Sequence, residues 1–163
     1  MADTIALTLT ANGDAVEGDS TVTAMDRADT IEVLSLEQQV STAFDRATLL
    51  ATGRRIYAPI RFTKRMDRAT PLLRQALAQN QVVEGSFRWF RPNPAGTGAV
   101  QHCFTLDFTG GRVTKCALRL PDTLDATAAS LPLLEEVELT FSTITWTWVP
   151  GGTSFEDTWG ATT

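Results

Sequence analysis

Few residues in this chain have the type and spacing for chemistry. His102 is the single histidine, and it adjoins Cys103; Cys116 is the other cysteine. A thiol nucleophile needs a base that faces it and a third group that orients the base. The surrounding residues alternate as a strand, and strand neighbours point to opposite faces. His102 and Cys103 therefore cannot form that pair, and Asp107 shares the parity of Cys103, not of His102. One histidine with two cysteines thirteen apart matches no zinc spacing. Both cysteines fall in apolar strand-like runs, which favours buried free thiols over a disulfide. Asp14, Glu17 and Asp19 make an acidic loop without the spacing of a calcium site, and Glu135, Glu136 and Glu138 read as a solvated strand start. Gly96-Thr97-Gly98 and Gly110-Gly111 read as turns, and no glycine-rich run leads from a strand into a helix. Trp146 and Trp148 are large enough to line a ligand pocket, but they read first as core or interface. The expectation is no catalytic residue, no cofactor and no metal.

The totals narrow the class further. A chain of 163 residues with 43% hydrophobic and 20% charged residues fits one soluble domain over residues 1–163. A net charge of −5 argues against a broad nucleic-acid or anionic-membrane surface. No 18-residue apolar run is present, which argues against membrane insertion. The start Met1-Ala2-Asp3-Thr4 lacks the basic and apolar regions of a secretory leader, so export would proceed without a cleaved signal peptide.

The elements that would position these residues are mostly strands. Ile5, Leu7 and Leu9 alternate with polar residues, and residues 11–30 read as a long loop. Residues 31–40 read as a second strand, with Leu34, Leu36 and Gln38 on one face and Ser35, Glu37 and Gln39 on the other. Residues 41–55 read either as a poor helix or, better given their length, as an extended arm whose Phe44, Leu49 and Leu50 dock on another subunit. Residues 82–91 carry Val83, Phe87 and Trp89 on one parity, interrupted by Gly85. Phe104, Leu106 and Phe108 share a face, Gly110-Gly111 is a hairpin signal, and Cys116, Leu118 and Leu120 then face inward. In residues 135–149, Val137, Leu139 and Phe141 hold one parity and Ile144, Trp146 and Trp148 the other, which implies a bulge near Ser142-Thr143 or a strand that leaves one sheet for a second surface. Phe155 and Trp159 imply that the tail docks. About seven strands with one helix predict a mainly β fold, an antiparallel β-barrel of two packed sheets with extended loops and one side helix at about 71–79.

The firmest local statement is the corner at residues 56–73. Ile56, Ala58, Ile60 and Phe62 alternate as the buried face of a strand. Thr70 reads as an N-cap, Pro71 as the first helical residue, and Asn80 as the stop; Lys64, Arg65 and Arg68 read as surface. At Phe62-Thr63-Lys64, Met66-Asp67 and Ala69-Thr70-Pro71-Leu72-Leu73 the chain resembles the haemolysin-coregulated protein (Hcp) family of type VI secretion systems. The likeness extends to 5–7, 16–21, 31–35, 137–141, 144–148 and the Trp159-Gly160 tail.

That resemblance implies a side-helix barrel in a hexameric ring, with rings stacked into a hollow tube that a contracting sheath expels. It implies sheath and spike partners, effectors in the lumen, and a cytoplasmic subunit that is later secreted. Within it, Ser35, Glu37 and Gln39 are candidates for the lumen wall, and Phe44, Leu49, Leu50, Arg54, Arg55, Trp146 and Trp148 for ring or stacking contacts. Phe62, Lys64, Asp67, Thr70 and Pro71 form the helix-corner motif, with its basic residues at a ring contact. A phage-like tail-tube protein and a small-molecule-binding barrel are the other readings.

Overall fold

The computed structural model describes residues 3–159. Its chain order is β1 (Thr4–Ala11), β2 (Asp14–Val16), β3 (Ile31–Glu37), β4 (Val40–Phe44), β5 (Ala51–Tyr57) and β6 (Ile60–Arg65), then α1 (Ala69–Ala78). There follow β7 (Val83–Pro92), β8 (Val100–Gly111), β9 (Val113–Arg119), β10 (Leu134–Leu139), β11 (Thr143–Trp148) and β12 (Thr153–Thr158). All strand pairs are antiparallel, in the order β12-β11-β8-β7-β1-β3-β6-β10-β9 with β2 beside β1; β4 and β5 form a separate two-stranded sheet. This is the mainly β, one-helix fold that the alternation predicts.

The alternating residues explain how the sheet curls. Leu7, Ile60, Phe62, Phe87 and Leu139 are fully buried. Phe62 of β6 meets Phe87 of β7 edge to face at 5.4 Å, although two strands lie between them in the sheet. The sheet thus folds over its own apolar face, and the aromatic rings fill the interior. Each large ring here contributes a few kcal/mol of burial, about 25 cal/mol per Å² of apolar surface.

The two ends of the strand path belong to the same two chain segments. β8 pairs with β11 and β9 with β10. Between them the chain turns a corner, where Thr140 N donates to the Arg112 carbonyl at 2.8 Å and Ser142 N to the Thr109 carbonyl at 2.9 Å. Gly110-Gly111 is therefore not a hairpin turn, since β8 and β9 do not pair. It is a bend in one long strand. Glycine is required because a Cβ on Gly111 would lie 2.2 Å from the Thr140 carbonyl oxygen. The parity switch at 141–143 is the matching bend in the partner strand: Phe141 and Ile144 are both buried across it.

Several expectations are corrected. Residues 11–30 contain β2, joined to β1 through Asn12 and Gly13 at φ +50° and +86°, the conformation of a tight hairpin turn. The strand read at 31–40 ends at Glu37, and a bulge at Leu34 turns that side chain outward while Leu36 faces Phe62. The strand read through 56–63 breaks at Ala58-Pro59, leaving Ile56 on the exposed hairpin. Leu118 and Leu120 are exposed rather than inward: among the described residues β9 is the last strand of the path and pairs with β10 alone, and Leu120 lies past its end. Cys103 is buried, but Cys116 is only partly so.

The helix also begins differently. Its first residue is Ala69, so Pro71 lies inside the first turn, where a missing N–H costs nothing. Thr70 is not the cap; Asp67 Oδ1 accepts from the Ala69 N–H at 2.9 Å and supplies that function. The far end is as read: Asn80 takes φ +50°, with Gln81 N bonded to the Ala76 carbonyl and Asn80 N to the Leu77 carbonyl. That is a Schellman closure.

Candidate functional site

The helix corner holds a buried charge cluster. Lys64 shares the parity of Ile60 and Phe62, and its side chain is fully buried, not at the surface as first read. Its Nζ lies 3.0 Å from Glu135 Oε2 and 2.7 Å from Asp67 Oδ1, and it donates to the Arg65 carbonyl at 2.9 Å. Glu135 is likewise fully buried, so the solvated reading fails for it. It accepts from Thr70 Oγ1 at 2.8 Å and pairs with Arg74 on the helix. Two cations and two carboxylates balance, and β6, α1 and β10 are tied to one point. Arg68, beside it, is exposed and pairs with Glu17, Asp19 and Asp29, which pins the 17–30 loop to the same corner.

One face of the sheet is polar and paired. Glu37 sits opposite Arg61 in β6, and Arg61 opposite Glu138 in β10. Arg61 bonds Glu138 at 2.9 Å, and Lys115 bonds Glu136 at 2.7 Å. Ser35 opposes Thr63 on the same face. Gln39 lies past the end of β3, but it joins Glu37, Arg61 and Glu138 around a hollow of about 60 Å³. The three lumen candidates therefore lie close together, Ser35 and Glu37 in the strand and Gln39 at the base of the arm.

Residues 41–55 form an arm, not a helix. β4 and β5 are exposed along nearly their whole length, and Phe44, Leu49 and Leu50 at its end are 56%, 75% and 67% exposed. Arg54 is exposed on β5, while Arg55 turns back to Asp157. Trp146 lies at the arm's base, stacked between Tyr57 at 6.2 Å and Phe155 at 5.8 Å. Trp148 is 41% exposed beneath the Arg91 guanidinium. Trp159 rests on Tyr57, so the tail docks as read; Gly160 lies outside the described residues.

His102 and Cys103 are kept apart. His102 stacks on Phe90 at 5.1 Å and hydrogen-bonds Thr105 at 2.8 Å; burial lowers its pKa, assisted by Arg88. Cys103 Sγ instead donates to the Trp89 carbonyl, and burial raises its pKa, away from the reactive thiolate. Among the described residues, no three His, Cys, Asp or Glu side chains are placed to hold a metal ion, and no helix is long and apolar enough to cross a membrane.

One body thus combines a polar, charge-paired sheet face, a projecting arm with an apolar tip and a packed interior. Residues 8–148 match the family described as "Type VI secretion system effector, Hcp". The chain is 30% identical over 132 residues to the "Major exported protein" of Pseudomonas aeruginosa, covering 80% of this chain and 76% of that one. The fold matches a double tryptophan variant of Hcp1 from E. coli EAEC 042 with a TM-score of 0.82 and 29% identity, covering 97% and 99% of the two chains. It also matches the secreted protein Hcp3 of Pseudomonas aeruginosa with a TM-score of 0.75 and 20% identity, covering 98% and 100%. The chain belongs to the Hcp family and is a tube subunit of a type VI secretion system.

Proposed function

We propose that this chain, as one domain, forms hexameric rings with the β3-β6-β10-β9 face toward the lumen, and that the arm carries the contact between subunits. The observation that carries this reading is the division of one body into a self-neutralising polar face and an apolar arm. A wall of paired Arg61–Glu138 and Lys115–Glu136 stays hydrated and has little net pull on passing cargo, as a conduit requires. The exposed Phe44, Leu49 and Leu50 exceed what an isolated surface hairpin needs and lose their cost when a neighbour covers them. Ring closure takes unlike surfaces, and the two ends of the strand path, β12 and β9, differ in sequence and exposure.

In this reading the subunit has no catalytic role. It waits in the cytoplasm, stacks within a contractile sheath below a spike, and is then secreted, with effectors carried through the lumen past Ser35, Glu37 and Gln39. The interior is filled by Phe62, Phe87 and Phe108, which favours a building block over a ligand-binding barrel. Light scattering on the purified protein tests the proposal. A mass near six times 17.7 kDa is expected, and a stable monomer at high concentration refutes it.

A further inference from the structure

The arm is joined to the body only at its base. Among the described residues, β4 and β5 pair with each other and with no other strand. An isolated two-stranded hairpin is marginal, so side chains at the base must set its direction. Among the described residues, its polar links to other elements converge on the end of the chain. Arg55 forms a two-pronged ion pair with Asp157, with Nη2 to Oδ1 at 2.7 Å, and also donates to the Thr158 carbonyl at 3.1 Å. Tyr57 Oη donates to Asp157 Oδ2 at 2.5 Å. Beside them, Trp146 Nε1 donates to Gln38 Oε1 at 3.2 Å, and Trp159 packs edge-on against Tyr57 at 5.5 Å.

We propose that β12 is a latch for the arm, and that Asp157 is the positioning residue that sets the arm's angle and through it the affinity of one subunit for the next. This rests on the reading of the arm as an assembly element. A two-pronged Arg–carboxylate pair fixes both distance and plane, which a single contact does not. Asp157 is the hub because it is 14% exposed and holds Arg55 and Tyr57 together. From Arg55 to the end of β5 at Ala51 is about 13 Å at strand rise, so a 10° swing at the base displaces the start of the tip by about 2 Å. Such a shift exceeds the tolerance of close apolar packing.

The test compares the parent with D157A and with R55D, D157R and the swapped pair R55D/D157R. Two quantities are read: amide hydrogen exchange in residues 41–55 against β1, and subunit dissociation on dilution by light scattering. D157A is expected to raise exchange in 41–55 at least tenfold with β1 unchanged, and to weaken association at least tenfold. The swapped pair is expected to recover most of both, a rescue that a merely stabilising role for β12 would not give. Unchanged arm exchange in D157A, or a swapped pair no better than its single variants, overturns the latch. If the parent itself fails to associate, the tube reading falls instead, and the exchange measurement on the monomer still decides the latch.

Discussion

Removing one partner from the Lys64–Glu135 pair should be among the most damaging single changes in the chain. Both side chains are fully buried. Lys64→Met keeps the length of the stem and deletes the Nζ that serves Glu135, Asp67, Thr70 and the Arg65 carbonyl. A buried carboxylate that loses its partner costs about 3–5 kcal/mol. Glu135 keeps Arg74 and Thr70, which places the expected loss near the lower end, about 3 kcal/mol. Glu135→Leu should cost a similar amount. The double variant K64M/E135L removes both ends of the pair and leaves Asp67 and Arg74 nearer water, so it should lose only about 1–2 kcal/mol. The assay is urea unfolding followed by far-ultraviolet circular dichroism, at matched subunit concentration because association adds apparent stability. With a slope of about 2 kcal/mol per molar urea, either single variant should lower the midpoint by about 1.5 M. Raising salt from 0.1 to 1 M should not change the gap, since buried pairs are poorly screened. Single variants within about 1 kcal/mol of the parent, or losses that simply add in the double variant, would refute the argument that water is excluded from this pair.

Thr70→Ala should cost about 2 kcal/mol, more than the ~1 kcal/mol of a lost cap, because its hydroxyl joins Lys64, Glu135 and the Asp67 N–H; equilibrium unfolding measures it. Gly111→Ala should cost about 1–3 kcal/mol, since the new Cβ meets the Thr140 carbonyl at 2.2 Å; a neutral result in the same assay would show that the corner relaxes. The latch should depend on pH at both ends. Arg55 and then Tyr57 hold the Asp157 carboxyl below its ordinary value, so its contribution is present above about pH 4 and is lost as pH falls through the depressed pKa. Burial, helped by Asp157, pushes Tyr57 up to about 12, so its share is intact below pH 10 and lost as pH rises through about 12. An NMR titration of the arm amides should therefore be flat between those limits. Glu37→Lys should leave rings intact and alter retention of cargo; failure to form rings would remove Glu37 from the lumen wall.

Much of this was legible in the residues. Parity alone placed Leu7, Phe62, Phe87 and Ile144 in the core, and the switch between Phe141 and Ile144 marked the corner. Parity also contained the buried charges: Lys64 continues Ile60 and Phe62, and Glu135 continues Val137 and Leu139. They read as surface because a lone Lys or Glu rarely enters a core, and the partner that permits it lies 71 residues away. Gly110-Gly111 misled for a similar reason. A glycine pair marks sharp backbone geometry, but whether the chain reverses or only bends depends on distant partners, here Thr140 and Ser142. Asp157 gave no local signal, since its role exists only where Arg55 and Tyr57 approach it across the fold.

The most direct test of the tube account is cryo-electron microscopy of the purified protein at high concentration. The account predicts hexameric rings with Ser35, Glu37 and the Arg61–Glu138 pair on the channel wall and the arm tips buried against neighbouring subunits. Rings that turn this face outward, or particles no larger than one chain, would contradict it.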